Sequence, residues 1–377
     1  MNDLVLANAR IVTPTGVVKG SVAVAGGRIA EIREGDRAPA GAVDFADDYL
    51  VPGLVELHTD NVEKHMVPRP GVIWPAPVVA ILSHDAQMAA AGVTTVYDAI
   101  AVGEYMDRSY RRALLTSVLD SIRAAREAGL FRADHRVHLR CEIADDAVVD
   151  LFETHGGDPT VGLISLMDHT PGQRQWRDLK SFKTFKNANM SDEEFKAYID
   201  TRIANASKNA EQNRRRVLEL WGGRGPVASH DDTTLEHVAE AVADGILISE
   251  FPTTMEAAEA AKAAGMQTVM GAPNVVRGGS HSGNVSALDL ASAGLLDALS
   301  SDYAPISLIH AAFALHEKVG MSLPDAVATV SANPARMLGL DDRGEIVIGK
   351  RADMVRVRRI GEAAAPRGTW VEGEKVA

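Results

Sequence analysis

Eight short β-prone runs alternate with helical stretches through the middle of this chain, and that alternation limits the folds open to it more than any other feature. The runs are residues 51–58, 93–98, 136–142, 161–168, 226–230, 246–250, 267–271 and 299–302. Amphipathic patterns at 110–128, 234–243, 254–264 and 306–319 predict helices between them. Strands alternating with helices predict parallel βα units. Eight units over residues 52–338 predict an α/β fold of the (β/α)8 TIM-barrel type. A doubly wound open sheet competes, but no glycine-rich phosphate fingerprint follows the first run. The two ends differ in texture. Alternating patterns at 3–12 and 17–24, a Gly26-Gly27 turn into Arg28-Ile29-Ala30-Glu31-Ile32, and strand-turn-strand at 344–357 predict a small β-sandwich built from residues 1–51 and 339–377. The connection after the fourth run is too long for a plain βα loop and predicts an insertion at about 170–225. Within it Ser191, with Glu194 three residues on, predicts a capped helix over 191–221, expected to cover the barrel mouth.

Composition narrows the function. The chain has 377 residues, is 46% hydrophobic and 24% charged, and so reads as an ordinary globular protein. Its net charge of -12 argues against nucleic-acid or anionic-membrane partners, though not against a local basic pocket. The single cysteine, Cys141, excludes an intrachain disulfide and a cysteine-cluster metal site. No signal-peptide pattern opens the sequence and no apolar run reaches membrane-spanning length. The expectation is a cytoplasmic enzyme acting on a small molecule, with homo-oligomerisation left open.

Barrel active sites lie at the C-terminal strand ends. His58 and Asp60, two apart, fall on one face of a strand end. Glu142, Asp168 and His169, His230 with Asp231 and Asp232, Glu250, and Asp302 end later runs. Period two in the third run turns His138, Arg140 and Glu142 inward and Leu139 and Cys141 outward, which makes Cys141 a core residue. The metal ligands chosen are His58, Asp60, Glu142, His169, His230 and Asp302. Three histidines and three carboxylates suit two divalent ions sharing one carboxylate. Zinc favours the histidines, and the carboxylate share keeps manganese or iron open. Such a pair activates a water, and Asp302 is the candidate base. His84, His135, His155, His237, His310 and His316 have no evident partners and read as surface or packing histidines. For an anionic substrate the candidates are Lys64, His65, Arg69, Arg140, Arg174, Asn274, Arg277 and His281. Arg174, Arg177, Lys180, Lys183 and Lys186 recur every three residues and would form a basic stripe if helical, or merely a solvated helix face.

Pro52-Gly53-Leu54-Val55-Glu56-Leu57-His58, Gly92-Val93-Thr94-Thr95-Val96, Ser301-Asp302-Tyr303-Ala304-Pro305, Asn333-Pro334-Ala335-Arg336-Met337-Leu338-Gly339-Leu340 and Gly349-Lys350-Arg351-Ala352-Asp353 resemble the amidohydrolase superfamily from end to end. The resemblance implies a metal-dependent hydrolase on a (β/α)8 barrel carrying a β-sandwich from both termini. Asp60 stands where most members have a second histidine. No lysine suited to carbamylation ends a strand, so Glu142 resembles the bridging carboxylate some members use. The strings at 58–65, 68–70, 167–175, 249–254 and 271–274 resemble a phosphonate-degradation branch of the superfamily. That implies a phosphorylated sugar as substrate, with its 5-triphosphate hydrolysed and pyrophosphate released. A C–N hydrolase on the same barrel and a catalytically dead scaffold are the alternatives, since function resides in the site and not the fold.

Overall fold

Gly53 is where the chain passes from one sheet to another. A computed structural model describes residues 3–35, 38–104, 110–185, 190–280 and 283–377. The first strands are β1 (Leu4–Thr13), β2 (Gly16–Ala25), β3 (Arg28–Glu34), β4 (Val43–Asp44) and β5 (Tyr49–Pro52). The barrel strands are β6 (Leu54–Thr59), β7 (Val93–Val102), β8 (Asp134–Glu142), β9 (Val161–Met167), β10 (Val227–His230), β11 (Ile248–Glu250), β12 (Gln267–Gly271) and β13 (Ala298–Ser300). The chain ends in β14 (Met354–Ile360), β15 (Ala363–Val371) and β16 (Glu374–Lys375). The expected first run at 51–58 is therefore two strands. A side chain at Gly53 would put a Cβ 2.3 Å from Thr94 Oγ1 and 2.9 Å from Asp353 Cβ. Glycine lets β5 and β6 part there while its N–H donates to Asp353 O at 2.8 Å.

β6 to β13 pair in sequence order, all parallel. A parallel bridge between Thr59 and Asp302 closes β13 onto β6. The expected barrel is thus present. Its interior is packed by Val55, Leu57, Leu163, Ala228, Ile248 and Val269, with Tyr97 among them. Val137, Leu139 and Cys141 face the outer helical layer and pack with Leu119, Phe152 and Trp221, as the period-two reading of β8 requires. Burial pushes the Cys141 thiol far up, so it stays protonated. The terminal strands form a second sheet in the order β16-β15-β14-β5-β1-β2-β3, with β4 beside β1. Its core joins Leu6, Ile11, Phe45 and Leu50 from the first part of the chain to Met354 and Trp370 from the last.

Ser191 and Glu194 form the expected capping box, and the helix runs Asp192–Trp221 to a left-handed Gly222. It is the crossover from β9 to β10 and not simply a cover for the mouth. Its C-terminal half joins the outer layer, where Trp221 meets Phe152 edge-on at 6.4 Å. Asn213 there donates to Ile143 O and Asp145 O at 3.0 and 2.8 Å. Among the described residues the basic stripe does not form. Arg174 lies buried in a tight turn, Arg174–Trp176, the next helix begins at Leu179, and Lys186 lies outside the described residues.

His84 and His135 are neither surface groups nor partnerless packing. Both are fully buried behind β7. His84 Nε2 and His135 Nδ1 meet the two oxygens of Asp98 at 2.7 and 2.8 Å. His135 Nε2 lies 3.3 Å from Asp85, which also accepts from the Arg132 and Ala133 N–H groups. Burial opposes charge on His135, but Asp98 and Asp85 win and raise it to about 9. Burial keeps His84 below its ordinary value.

Two expectations follow. A folded pKa above the unfolded one gives stability that is complete below the unfolded pKa and disappears as pH rises through the folded one. The melting-temperature gap between wild type and His135→Asn should therefore narrow from about pH 6.5 to about pH 9; an unchanged gap would mean that the ring carries no charge. Gly53→Ala should cost about 1–3 kcal/mol in urea unfolding through overpacking, and a neutral result would show that β5 and β6 can separate further.

Candidate active site

Each of three strand ends presents a histidine whose Nδ1 is already taken by a buried carboxylate. His58 Nδ1 donates to Glu250 Oε1 at 2.8 Å. His169 Nδ1 donates to Glu142 Oε2 at 2.6 Å, and His169 N donates to the other Glu142 oxygen at 3.0 Å. His230 Nδ1 donates to Asp231 Oδ2 at 2.9 Å. A carboxylate can only accept, so each imidazole carries a proton on Nδ1, and Nε2 is the nitrogen left for a ligand. The three Nε2 atoms face further carboxylates at longer range. His58 Nε2 is 3.5 Å from Asp60, His169 Nε2 is 3.7 Å from Asp231, and His230 Nε2 is 3.8 Å from Glu250 Oε2. His230 Nε2 and Glu250 Oε2 are buried and have no hydrogen-bond partner among the described residues.

Those orphaned atoms test whether the site suits a cation, and it does. Three donor sets gather at the mouth: His58 with Asp60 and Asp302, His58 with His230 and Glu250, and His169 with His230 and Asp231. Histidine nitrogen and carboxylate oxygen are the donors a divalent transition ion takes. The electrostatics agree. Burial works to protonate Glu250, but His58, His138 and His230 hold it down to about 2. Burial also opposes charge on His58, yet Glu250 and Asp60 raise it to about 10. A cation entering here would displace that proton.

The backbone is strained at the same place. Asp231, Phe251 and Asp302, each just past a barrel strand, have φ of 56°, 58° and 53°. Left-handed geometry is unfavourable for aspartate and more so for a bulky ring, and such strain gathers at functional sites. It turns Asp302 back across the barrel seam. Asp302 N donates to His58 O at 3.1 Å, and Asp60 N donates to Asp302 O at 2.9 Å. Phe251 sets its ring edge-on to His58 and His230, with centroids 5.1 and 5.3 Å away.

A family model described as "Amidohydrolase family" matches residues 215–377. The α-D-ribose 1-methylphosphonate 5-triphosphate diphosphatase of Escherichia coli (strain K12) is 43% identical over 378 residues, covering 99% of this chain and 100% of that protein. This chain belongs to the family of that diphosphatase, within the amidohydrolase superfamily. Solved structures share the fold at low identity. A 5-methylcytosine deaminase from Klebsiella pneumoniae superposes with a TM-score of 0.65 at 14% identity, covering 99% of this chain and 98% of that one. An N-acetylglucosamine-6-phosphate deacetylase from Pasteurella multocida gives 0.62 at 13%, covering 99% of both.

In this family member the mouth is a cavity of about 250 Å3, with the metal-type ligands on its floor and Arg140, Gln175, Asn274, Arg277 and Tyr303 on its walls. Of the residues chosen from sequence, His58, Asp60, His169, His230 and Asp302 line it, as do Arg140, Asn274 and Arg277. Arg140 Nη1 donates to Asp60 Oδ1 at 2.5 Å. Asn274 is held by its own loop, donating to Val285 O and accepting from Ala287 N. Lys64 donates to Tyr303 O at 2.7 Å beside the rim. Three candidates stand away from the cavity. Arg174 is turned inward by its φ of 47° and spends its guanidinium on His230 O and Asp232, both at 2.8 Å. His65 meets Gln87 at 2.9 Å, and Arg69 is exposed in a turn with Val72. His281 lies outside the described residues. Glu142 sits behind His169 instead of between two donor sets.

Glu250 and Asp231 join the candidate donor sets without having been among the ligands expected from sequence. Both stood at strand ends, but a count of strand-end ligands gave no reason to prefer them. Glu142→Ala should weaken divalent-ion binding by about 10–100-fold, the usual cost of losing a carboxylate that orients a ligating histidine. Competition with a chromophoric chelator measures this, and a change below about threefold would leave His169 oriented by its own packing.

Proposed function

We propose that this chain hydrolyses α-D-ribose 1-methylphosphonate 5-triphosphate to the 5-phosphate and pyrophosphate, in the cytoplasm, as a step of phosphonate breakdown. The observation that carries the reading is its end-to-end likeness to the diphosphatase of that name. The donor-rich floor and the arginines above it support the reading. His58, Asp60 and Asp302 would hold one divalent ion, and His169, His230 and Asp231 a second, with Glu250 between the two sets. Zinc is our choice, given three imidazoles. When bound, such ions supply Lewis acidity, lowering the pKa of water and countering charge on phosphate oxygens.

The chain's own groups do the rest. Arg277 and Arg140 bind phosphate oxygens, for which the guanidinium fork is shaped. Water attacks phosphorus at the α–β linkage. As the new P–O bond forms, the bridging P–O bond breaks and pyrophosphate leaves. Asp302, fixed at the seam by backbone hydrogen bonds on both sides, takes the proton of the attacking water at its carboxylate. Phe251 and the buried histidine rings keep bulk water from the floor.

Pyrophosphate release from the sugar triphosphate tests the activity. Ammonia or acetate released from amide substrates, with no pyrophosphate, would transfer the site to C–N chemistry. Asp302→Asn should keep its metal and lose turnover by about 10²–10⁴, the scale of a general base. A kcat loss below about tenfold at full metal content would leave Asp302 only its part in closing the barrel.

A further inference from the structure

We propose that the face of the barrel opposite the mouth carries a second ligand site, for a small polyanion of the pyrophosphate class. A cavity of about 460 Å3 opens there among the N-terminal ends of β8, β9 and β10. It is remote from the strand ends that carry chemistry, so its role is binding and not turnover. Three guanidiniums line it: Arg126, Arg136 and Arg224. Among the described residues Asp134 is the one carboxylate on its wall, and Arg343 already meets that charge at 2.8 Å. Arg136 reaches Asp134 only at 3.3 Å and Tyr97 Oη at 3.4 Å. Arg224 spends Nε on Trp221 O at 3.0 Å and lies over the Trp221 ring, leaving both terminal amino groups without a hydrogen bond to described residues. Arg126 commits one amino group to His135 O.

A positive hollow on a chain of net charge -12 runs against the overall sign, and neighbouring guanidiniums repel unless an anion joins them. The floor is rigid. A Cβ at Gly162 would come within 2.9 Å of the Tyr97 ring, and one at Gly225 within 3.0 Å of Gly162 O. Arg224 is thus anchored at its stem and open at its tip, and the long contacts of Arg136 leave its guanidinium able to turn to phosphate oxygens, which the guanidinium fork recognises in pairs.

Calorimetric titration of the metal-loaded enzyme with inorganic pyrophosphate tests this independently of the reaction. The double variant Arg136→Met/Arg224→Met should bind one pyrophosphate fewer per chain than wild type, or bind it at least about tenfold more weakly, the loss expected of two charge-assisted contacts. Adenosine diphosphate forms a second arm. Equal affinity would mean that the polyphosphate alone is read, and tighter binding would mean a nucleotide. If the double variant does not fold, Asp134→Asn takes its place and should tighten binding several-fold by removing the wall's negative charge. Unchanged stoichiometry and affinity in the folded double variant, or unchanged affinity in Asp134→Asn, overturns the proposal.

Discussion

The seam between β13 and β6 is the constraint on which the rest depends. Glu56, fully buried on β6, accepts from His58 N through one oxygen and from Ser301 N through the other, both at 2.7 Å. One carboxylate thereby joins the first and last barrel strands just below the point where His58, Asp60 and Asp302 emerge. Burial pushes Glu56 up to about 7 although both N–H groups favour its charge. Above it the exchange of backbone hydrogen bonds between Asp302 and its neighbours across the seam completes closure. Donor geometry and barrel closure are therefore one arrangement here, and a change to either is felt by the other.

The site repeats one device three times. A buried carboxylate behind each imidazole fixes the ring's tautomer and direction before any ligand arrives. Such pairs cost desolvation in an apolar interior and are tolerated only when their hydrogen bonds are good. The left-handed residues Asp231, Phe251 and Asp302 are part of that cost. Together they convert eight loosely similar strand ends into a floor on which lone pairs converge.

The same logic explains why the arginines divide. Arg140 and Arg277 remain at the cavity wall. Arg174, which follows His169 closely in sequence, is captured by Asp232 and His230 O. Proximity along the chain indicated that Arg174 belonged near the site, but only its φ determined which way it faced. His84 and His135 give the converse case. They lacked partners along the chain because Asp98 reaches both from a strand and Asp85 reaches His135 from a helix, contacts made only on folding.

The sequence by itself determined the periodic features: parallel strands alternating with helices, the inward and outward faces of β8, the capped start of the long helix, and the strand ends where histidines and carboxylates gather. These follow from local periodicity and from turn and cap chemistry, which act over a few residues. Only the tertiary structure decided which carboxylates stand behind histidines and which stand beside them. It also decided that the run at 51–58 breaks at Gly53, and that Glu250 meets His58 and His230. Those outcomes depend on side chains from distant strands competing for the same few hydrogen-bonding atoms in a small buried volume, and nothing within one stretch of sequence records who the competitors are.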